Sequence, residues 1–346
     1  MPEIIDVHTH FGGPNLAERF GLGNVFNAER VKGKVVTNYR GLPAVTYAAG
    51  VSFQEQQEVC EKAGITRRMM SNSFAVEVFS RETTKPSIEA AKFCNDDIAN
   101  TVSMAPKGTM WGIGGINPLE RSHVKEAERC IDRLGFKAIQ SNSSWHGRFI
   151  DTDESYPFWE WAEDRRVPIF LHPPRVPIGH DQQMGQYKLD ELVGRPFDTA
   201  MSVARMILSG LFDRFPNLRI LVAHMGGGLL PCMGRLDFGW RLGFEGLPEH
   251  TVARCQRLPS DYLRTNLIVD TMGFWAPHVK EAVEVFGADN VMFGTDYGPV
   301  PLDPREHTDI VNALDVSPAD KENILWRNAD SYFGLGIKRL QIDQNL

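Results

Sequence analysis

Short apolar runs rich in β-branched residues recur along the chain. Each ends in a polar residue and gives way to a longer stretch of mixed apolar and charged positions. The runs cover residues 4–8, 65–71, 110–116, 136–141, 168–172, 219–224, 266–271 and 290–296. Runs of this length, apolar throughout rather than alternating, predict strands buried on both faces, as in a parallel sheet. Helical periodicity marks residues 54–63, 87–103, 123–134, 156–164, 199–215 and 276–286. Eight strand-like runs interleaved with helical ones predict a (β/α)8 TIM barrel. An open doubly wound sheet is the competing arrangement, but no GxGxxG phosphate fingerprint follows the first run.

Two stretches break the alternation. Residues 15–51 are rich in Gly and Arg, and residues 175–196 form a second long connection. Both lead from a strand to the next helix, so both are expected on the C-terminal face, where barrel active sites form. They are expected to wall or cover the mouth. From about residue 321 the pattern gives one more helical stretch and then a polar tail expected to fray.

Length alone, 346 residues, suggests two domains at about 150 residues each. The barrel pattern changes that to one domain over residues 1–346, with the excess in the two insertions. Hydrophobic residues at 42% and charged residues at 23% describe an ordinary globular chain. A net charge of -7 argues against a general nucleic-acid binder. No apolar run is long enough to span a membrane, and no secretory leader pattern opens the chain. The five cysteines are scattered without a CxxC pair, which fits free thiols in a reducing, cytoplasmic setting.

The chemistry gathers at the strand ends. Asp6-Val7-His8-Thr9-His10 closes the first run, and residues two apart on a strand share a face. His172 ends the fifth run, His224 the sixth and Asp296 the eighth. One histidine at a strand end is unremarkable. Four such ends converging on one barrel mouth make a divalent-metal site, since imidazole and carboxylate are the ligands zinc-like ions take. A two-metal site needs a bridging anion. The fourth run has its lysine, Lys137, at the start and offers Gln140 and Ser141 at its end, so a single ion is favoured. A water on that ion would lose its proton near neutral pH, and a nearby imidazole could exchange protons with substrate.

His8-Thr9-His10, His172, His224 and Gly294-Thr295-Asp296-Tyr297 together resemble the amidohydrolase superfamily. The sequence is most similar to its decarboxylase branch, typified by the 2-amino-3-carboxymuconate-6-semialdehyde decarboxylases. That resemblance also rests on Leu192-Val193-Gly194-Arg195-Pro196, on Ser209-Gly210-Leu211-Phe212-Asp213-Arg214-Phe215-Pro216, on Ala223-His224-Met225-Gly226-Gly227-Gly228 and on Gly234-Arg235. It covers nearly the whole chain and is strongest from Pro168 onward.

The resemblance implies that His8, His10, His172 and Asp296 hold one divalent ion, usually zinc, with manganese in some relatives. It implies that His224 is the acid/base beside the ion, with Asp296 also catalytic. The reaction it implies is non-oxidative decarboxylation of an aromatic or muconate-semialdehyde-type carboxylic acid. A lactone or amide hydrolase, or a hydratase of an unsaturated acid, would use the same site. The assembly it implies is a homodimer.

Arginines suit a carboxylate substrate through bidentate pairing. The candidates are Arg40, Arg175, Arg235 and Arg241, the last acting across a dimer interface. Trp145 and Phe274 are candidate aromatic walls of the pocket, with Trp275 beside Phe274. Asp270 and His278 read as structural residues or as outer supports of the centre. The triple glycine Gly226-Gly227-Gly228 suits a close backbone approach to substrate or a turn needing positive φ. The chain departs from the branch in carrying no arginine at 46–51, in Pro173-Pro174-Arg175 after His172, and in Tyr297-Gly298-Pro299.

Overall fold

The computed structural model describes residues 3–32, 34–40, 42–46, 52–182, 185–243, 246–300 and 302–337. The first strand, β1 (Ile5–His10), is followed by a small antiparallel sheet of β2 (Phe26–Val31), β3 (Lys34–Tyr39) and β4 (Leu42–Thr46). Then come β5 (Arg67–Ser71), β6 (Met110–Gly115), β7 (Ala138–Asn142) and the hairpin β8 (Ser144–Trp145) and β9 (Arg148–Phe149). The last strands are β10 (Ile169–His172), β11 (Ile220–Val222), β12 (Leu267–Asp270) and β13 (Val291–Met292).

Eight of these form one parallel sheet in the order β1-β5-β6-β7-β10-β11-β12-β13. The end strands meet: Val7 N donates to Phe293 O at 2.9 Å and His10 N to Tyr297 O at 2.9 Å. The sheet therefore curls into the (β/α)8 barrel that the alternating pattern predicts, and each predicted run overlaps one of its strands.

Side chains divide cleanly between two cores. Ile5, Val7, Met69, Ile113, Ala138, Phe170, Leu221, Ile268 and Met292 fill the barrel interior. Their strand neighbours, such as Ile4, Ile139, Ile169, Leu171, Ile220 and Val269, face the surrounding helices. Both faces are dry, so each strand reads as a continuous apolar run. The expected helices stand close to their predicted bounds, as in Ser87–Met104 and Ala276–Phe286. The 199–215 stretch is two helices, Arg195–Leu208 and Leu211–Arg214, because Gly210 turns the chain with φ 77°. Residues 47–51 of the first insertion lie outside the described residues. The rest of that insertion supplies the helix Gly13–Phe20 and the antiparallel sheet. The second insertion ends in a wide turn, Asp190–Gly194, that runs into the helix Arg195–Leu208. No described helix is long and apolar enough to cross a membrane.

Candidate active site

Strand parity explains how β1 can carry both a core and a site. Ile5 and Val7 point into the barrel, which would send His8 and His10 outward on an unbroken strand. The register against β5 shifts between Asp6 and Thr9. Such an irregularity re-aims side chains, and both imidazoles turn into the mouth. Asp6 holds this bend in place. Its carboxylate accepts from His8 N at 3.0 Å, Thr295 N at 3.1 Å and Thr295 Oγ1 at 2.5 Å. Burial pushes the Asp6 carboxyl up to about 7.

Five side chains converge above this bend. The His8 ring lies 4.9 Å from His10, 5.2 Å from His172 and 5.2 Å from His224, centroid to centroid. The ligand-bearing atoms of His8, His172, His224 and Asp296 all lie within 4.8 Å of one another. His10 Nε2 stands 3.0 Å from His8 Nε2 and 3.1 Å from Asp296 Oδ1. His8 Nε2 is 3.4 Å from the same oxygen. Asp296 Oδ1 forms no well-directed hydrogen bond with either ring, so it remains an unused buried acceptor. Its other oxygen, Oδ2, lies 3.2 Å from His224 Nε2.

Outer partners decide where the ring protons sit. His172 Nδ1 is 2.9 Å from the Pro173 carbonyl, which can only accept, so Nδ1 carries the hydrogen. That leaves His172 Nε2 as a buried bare nitrogen without a partner. His8 Nδ1 donates to Asp270 Oδ2 at 2.6 Å, and His10 Nδ1 pairs with Ser71 Oγ at 2.7 Å. Asp270 is itself fixed by Met225 N at 3.0 Å and Met272 N at 3.2 Å. Carboxylate, hydroxyl and carbonyl partners behind imidazoles are how metal-ligating histidines are oriented.

Electrostatics point the same way. Burial opposes a proton on His8, but Asp296 and Asp270 outweigh it and lift the group to about 10. Burial drives His10 down to about 4 and His172 well below its ordinary value. Burial would raise Asp296, yet the His8 charge, the adjacent His10 ring and the hydrogen bond with His224 hold it well below the carboxylate range. The centre thus draws in positive charge and keeps His10 and His172 neutral. A divalent cation among these donors meets both demands, so the residues present fit such an ion.

Backbone strain marks the two residues nearest the mouth. His224 has φ 56° and Asp296 φ 54°, both left-handed. Non-glycine residues held there cluster at functional sites. Gly294 is required by packing: a Cβ would stand 2.9 Å from Asp270 Cβ and 3.0 Å from His8 Cβ. The triple glycine makes the positive-φ turn that its composition allows, with Gly226 at φ 80°. Gly227 has φ 64°, and a Cβ there would run into the Pro196 carbonyl oxygen.

The other candidates make the following contacts within the chain. Arg40 sits at the end of β3, well exposed, and pairs with Glu82 at 2.7 Å. Arg175 is buried, 3.3 Å from Asp190, with its guanidinium over the Tyr39 ring. Arg235 lines a separate cavity of about 610 Å³ with Arg205, Trp240 and Arg254. Arg241 is exposed on the helix Met233–Leu242. Trp145 is buried in the apolar core, its Nε1 3.3 Å from Ser141 Oγ. Phe274 is half exposed and packs on His307 at 5.5 Å. Two residues near the mouth escaped the sequence reading. Asn142 stands level with His172 at the end of β7, its amide Nδ2 buried without a partner. Arg195 was visible only as part of the Gly194-Arg195-Pro196 motif.

Comparison with known proteins agrees with this geometry. The family model described as amidohydrolase matches residues 5–335. The chain is 30% identical to 2-amino-3-carboxymuconate-6-semialdehyde decarboxylase of Dictyostelium discoideum, over 96% of this chain and 91% of that one. It is 30% identical to gamma-resorcylate decarboxylase of Polaromonas sp., over 80% of this chain and 85% of that one. Among solved structures, a dihydroxybenzoic acid decarboxylase of Polaromonas sp. with bound manganese and the inhibitor 2-nitroresorcinol superposes with a TM-score of 0.74. The two share 25% identity, covering 98% of each chain.

Proposed function

This chain belongs to the amidohydrolase family, and from that premise we propose that it is a metal-dependent, non-oxidative decarboxylase of an aromatic or muconate-type carboxylic acid. The observation that carries the proposal is the convergence of His8, His10 and His172, with Nδ1 atoms engaged from behind, on Asp296 beside His224. The relatives named decarboxylases support the reaction class.

We assign His8, His10, His172 and Asp296 as the ligands of one divalent ion, zinc or manganese. Two observations support separating His224 from that set. Asp296 turns Oδ1 toward His8 and His10 but Oδ2 toward His224. His224 is also the partly open ring, with 14% of its side chain exposed against 0% and 3% for His8 and His10. When bound, the ion supplies Lewis-acid polarisation of a substrate oxygen, the sink for the electron pair left as carbon dioxide departs. His224 delivers a proton to the carbon that loses the carboxyl group, and Asp296 orients that imidazole through Oδ2. The buried floor of His8, Asp270 and Phe170 keeps bulk water from the reacting face.

The same reading carries a cytoplasmic setting and a homodimer. Five free cysteines fit a reducing compartment. Exposed Phe197, Met201, Phe238 and Leu242 offer apolar area for a second subunit.

The test is direct. Protein loaded with zinc or manganese is offered carboxylated phenols, amino-carboxymuconates, lactones and unsaturated diacids, with carbon dioxide trapped and ultraviolet absorbance followed. One equivalent of carbon dioxide per substrate consumed is expected. Lactone opening or hydration without carbon dioxide overturns the reading. His224→Ala is expected to keep its metal and lose about 10²- to 10⁴-fold in kcat. His8→Ala is expected to lose metal by elemental analysis.

A further inference from the structure

A decarboxylase must hold its acid, and within the single chain the four arginines picked out by sequence make their contacts elsewhere. Arg40 and Arg175 already have carboxylate partners, Glu82 and Asp190. Arg235 lines a different cavity, and Arg241 is exposed. Arg195 is placed otherwise. Its Nε donates to the Pro174 carbonyl at 3.1 Å, two residues beyond His172. Its guanidinium lies over the Phe74 ring at 5.5 Å, in the loop that leaves β5 after Ser71, the partner of His10. The next residue, Pro196, presses its carbonyl against Gly227, three residues beyond His224. Arg195 is therefore wedged among the loops leaving β5, β10 and β11 at the barrel mouth.

The helix it begins is anchored there. Asp198 accepts from Ser143 Oγ at 2.5 Å, Ser144 Oγ at 2.8 Å and Ile178 N at 2.8 Å. One nitrogen fixed to a carbonyl and one face covered by a ring leave the outer edge of the guanidinium, Nη1 and Nη2, as an oriented fork. Such a fork matches a carboxylate in bidentate pairing. Its charge reaches the centre: Asp296 acts on Arg195, and Arg195 in turn acts on His10 and His172.

Resting on the decarboxylase reading, we infer that Arg195 anchors a second carboxylate of the substrate, one that the product retains. The chemistry decides which carboxylate. The C–C bond to the departing group breaks, its electron pair stays on the ring or diene carbon, and that carbon takes a proton. The departing carboxylate loses its charge as it becomes carbon dioxide. A strong pair to that group favours the ground state and raises the barrier. A pair to a retained carboxylate is equal in both states and serves binding and orientation. The expected substrate class is a planar dicarboxylic acid, with one carboxyl group at the centre and the other on Arg195.

Binding of inert acids tests this apart from turnover. Manganese-loaded protein is titrated with isophthalate and with benzoate by calorimetry. Wild type is expected to bind isophthalate more tightly, and Arg195→Met to weaken isophthalate about 10- to 100-fold while leaving benzoate nearly unchanged. Arg195→Lys, which keeps the charge without the fork, is expected to fall between. Arg175→Met serves as the comparison and is expected to leave the isophthalate-to-benzoate ratio intact. The same ratio in wild type and Arg195→Met overturns the inference. Should neither Arg195 variant fold, butanedione labelling of wild type with peptide mapping replaces them. Protection of Arg195 by isophthalate but not benzoate is expected, and equal labelling under both overturns it. Absence of carbon dioxide release from wild type would count against the decarboxylase reading and leave these binding outcomes separately readable.

Discussion

A single outer carboxylate shows how the centre is held at the scale of one residue. Asp270 reaches His8 Nδ1 at 2.6 Å and is buried completely. It fixes the tautomer that leaves His8 Nε2 facing Asp296. Replacing Asp270 with Asn keeps the shape and removes the charge that supports the ring. Metal affinity is expected to fall about 10- to 100-fold, read by competition with a chromophoric chelator. Unchanged affinity would show that His8 is oriented by other means. The histidines and Asp296 at the strand ends were legible because His and Asp stand out against apolar runs. Of the partners behind them, Asp270 stands out in the sequence as an outer support, and it is the one behind His8; the others do not. Ser71 and the Pro173 carbonyl carry no pattern of their own: the register of β1 against β5 brings Ser71 level with His10, and Pro173 is simply the residue after His172. Arg195 was hidden for a related reason. A residue at a helix start looks like a capping position until the loops of β5 and β10 are seen to close around it.

Elements were legible where one period dominates, and failed where the chain changes period within a few residues. The strand at 290–296 is read as seven residues, but regular pairing covers only Val291–Met292. Beyond it Gly294 makes room for Asp270 and His8, and Asp296 turns left-handed. The run at 219–224 likewise ends in pairing at Val222, because His224 and Met225 both adopt positive φ. The antiparallel sheet Phe26–Thr46 fell inside a stretch read as one long loop. The turn after β11 gives a test at this scale. Gly227 and Gly243 share φ 64°, but only Gly227 faces a backbone atom that a Cβ would strike. Gly243→Ala is expected to cost about 1 kcal/mol from the dihedral alone. Gly227→Ala is expected to cost more, and to separate Pro196 and Arg195 from the β11 loop. Urea unfolding midpoints of the two variants measure the difference, and equal losses would remove the Pro196 contact as the cause.

Stability of the whole molecule against acid draws on groups far from the centre, and His123 is the clearest of them. It is fully buried at the start of the helix Ser122–Asp132. Its Nδ1 accepts from Asn117 N at 3.1 Å, so that nitrogen must be bare, and Nε2–H donates to Ser87 Oγ at 2.9 Å. This joins the loop after β6 to the start of the helix Ser87–Met104. Burial holds the imidazole down from 6.5 to about 4, despite Glu120 and Glu126 nearby. The unfolded chain therefore takes up a proton at a pH where the folded one does not. Stability from this residue is complete above 6.5, falls as the pH drops from 6.5 toward about 4, and levels off below that. Lost in full, the gap amounts to about 3 kcal/mol, and about 2 kcal/mol of it lies between about pH 7 and pH 5. Gln at this position can accept from Asn117 and donate to Ser87 without titrating. Both proteins carry the same centre, so acid effects on its histidines and Asp296 cancel in the comparison. His123→Gln is expected to lose about 2 kcal/mol less than wild type over that interval, measured by urea unfolding at each pH. Parallel pH profiles would show that His123 is protonated in the fold, and that the Asn117 bond is not what keeps it neutral.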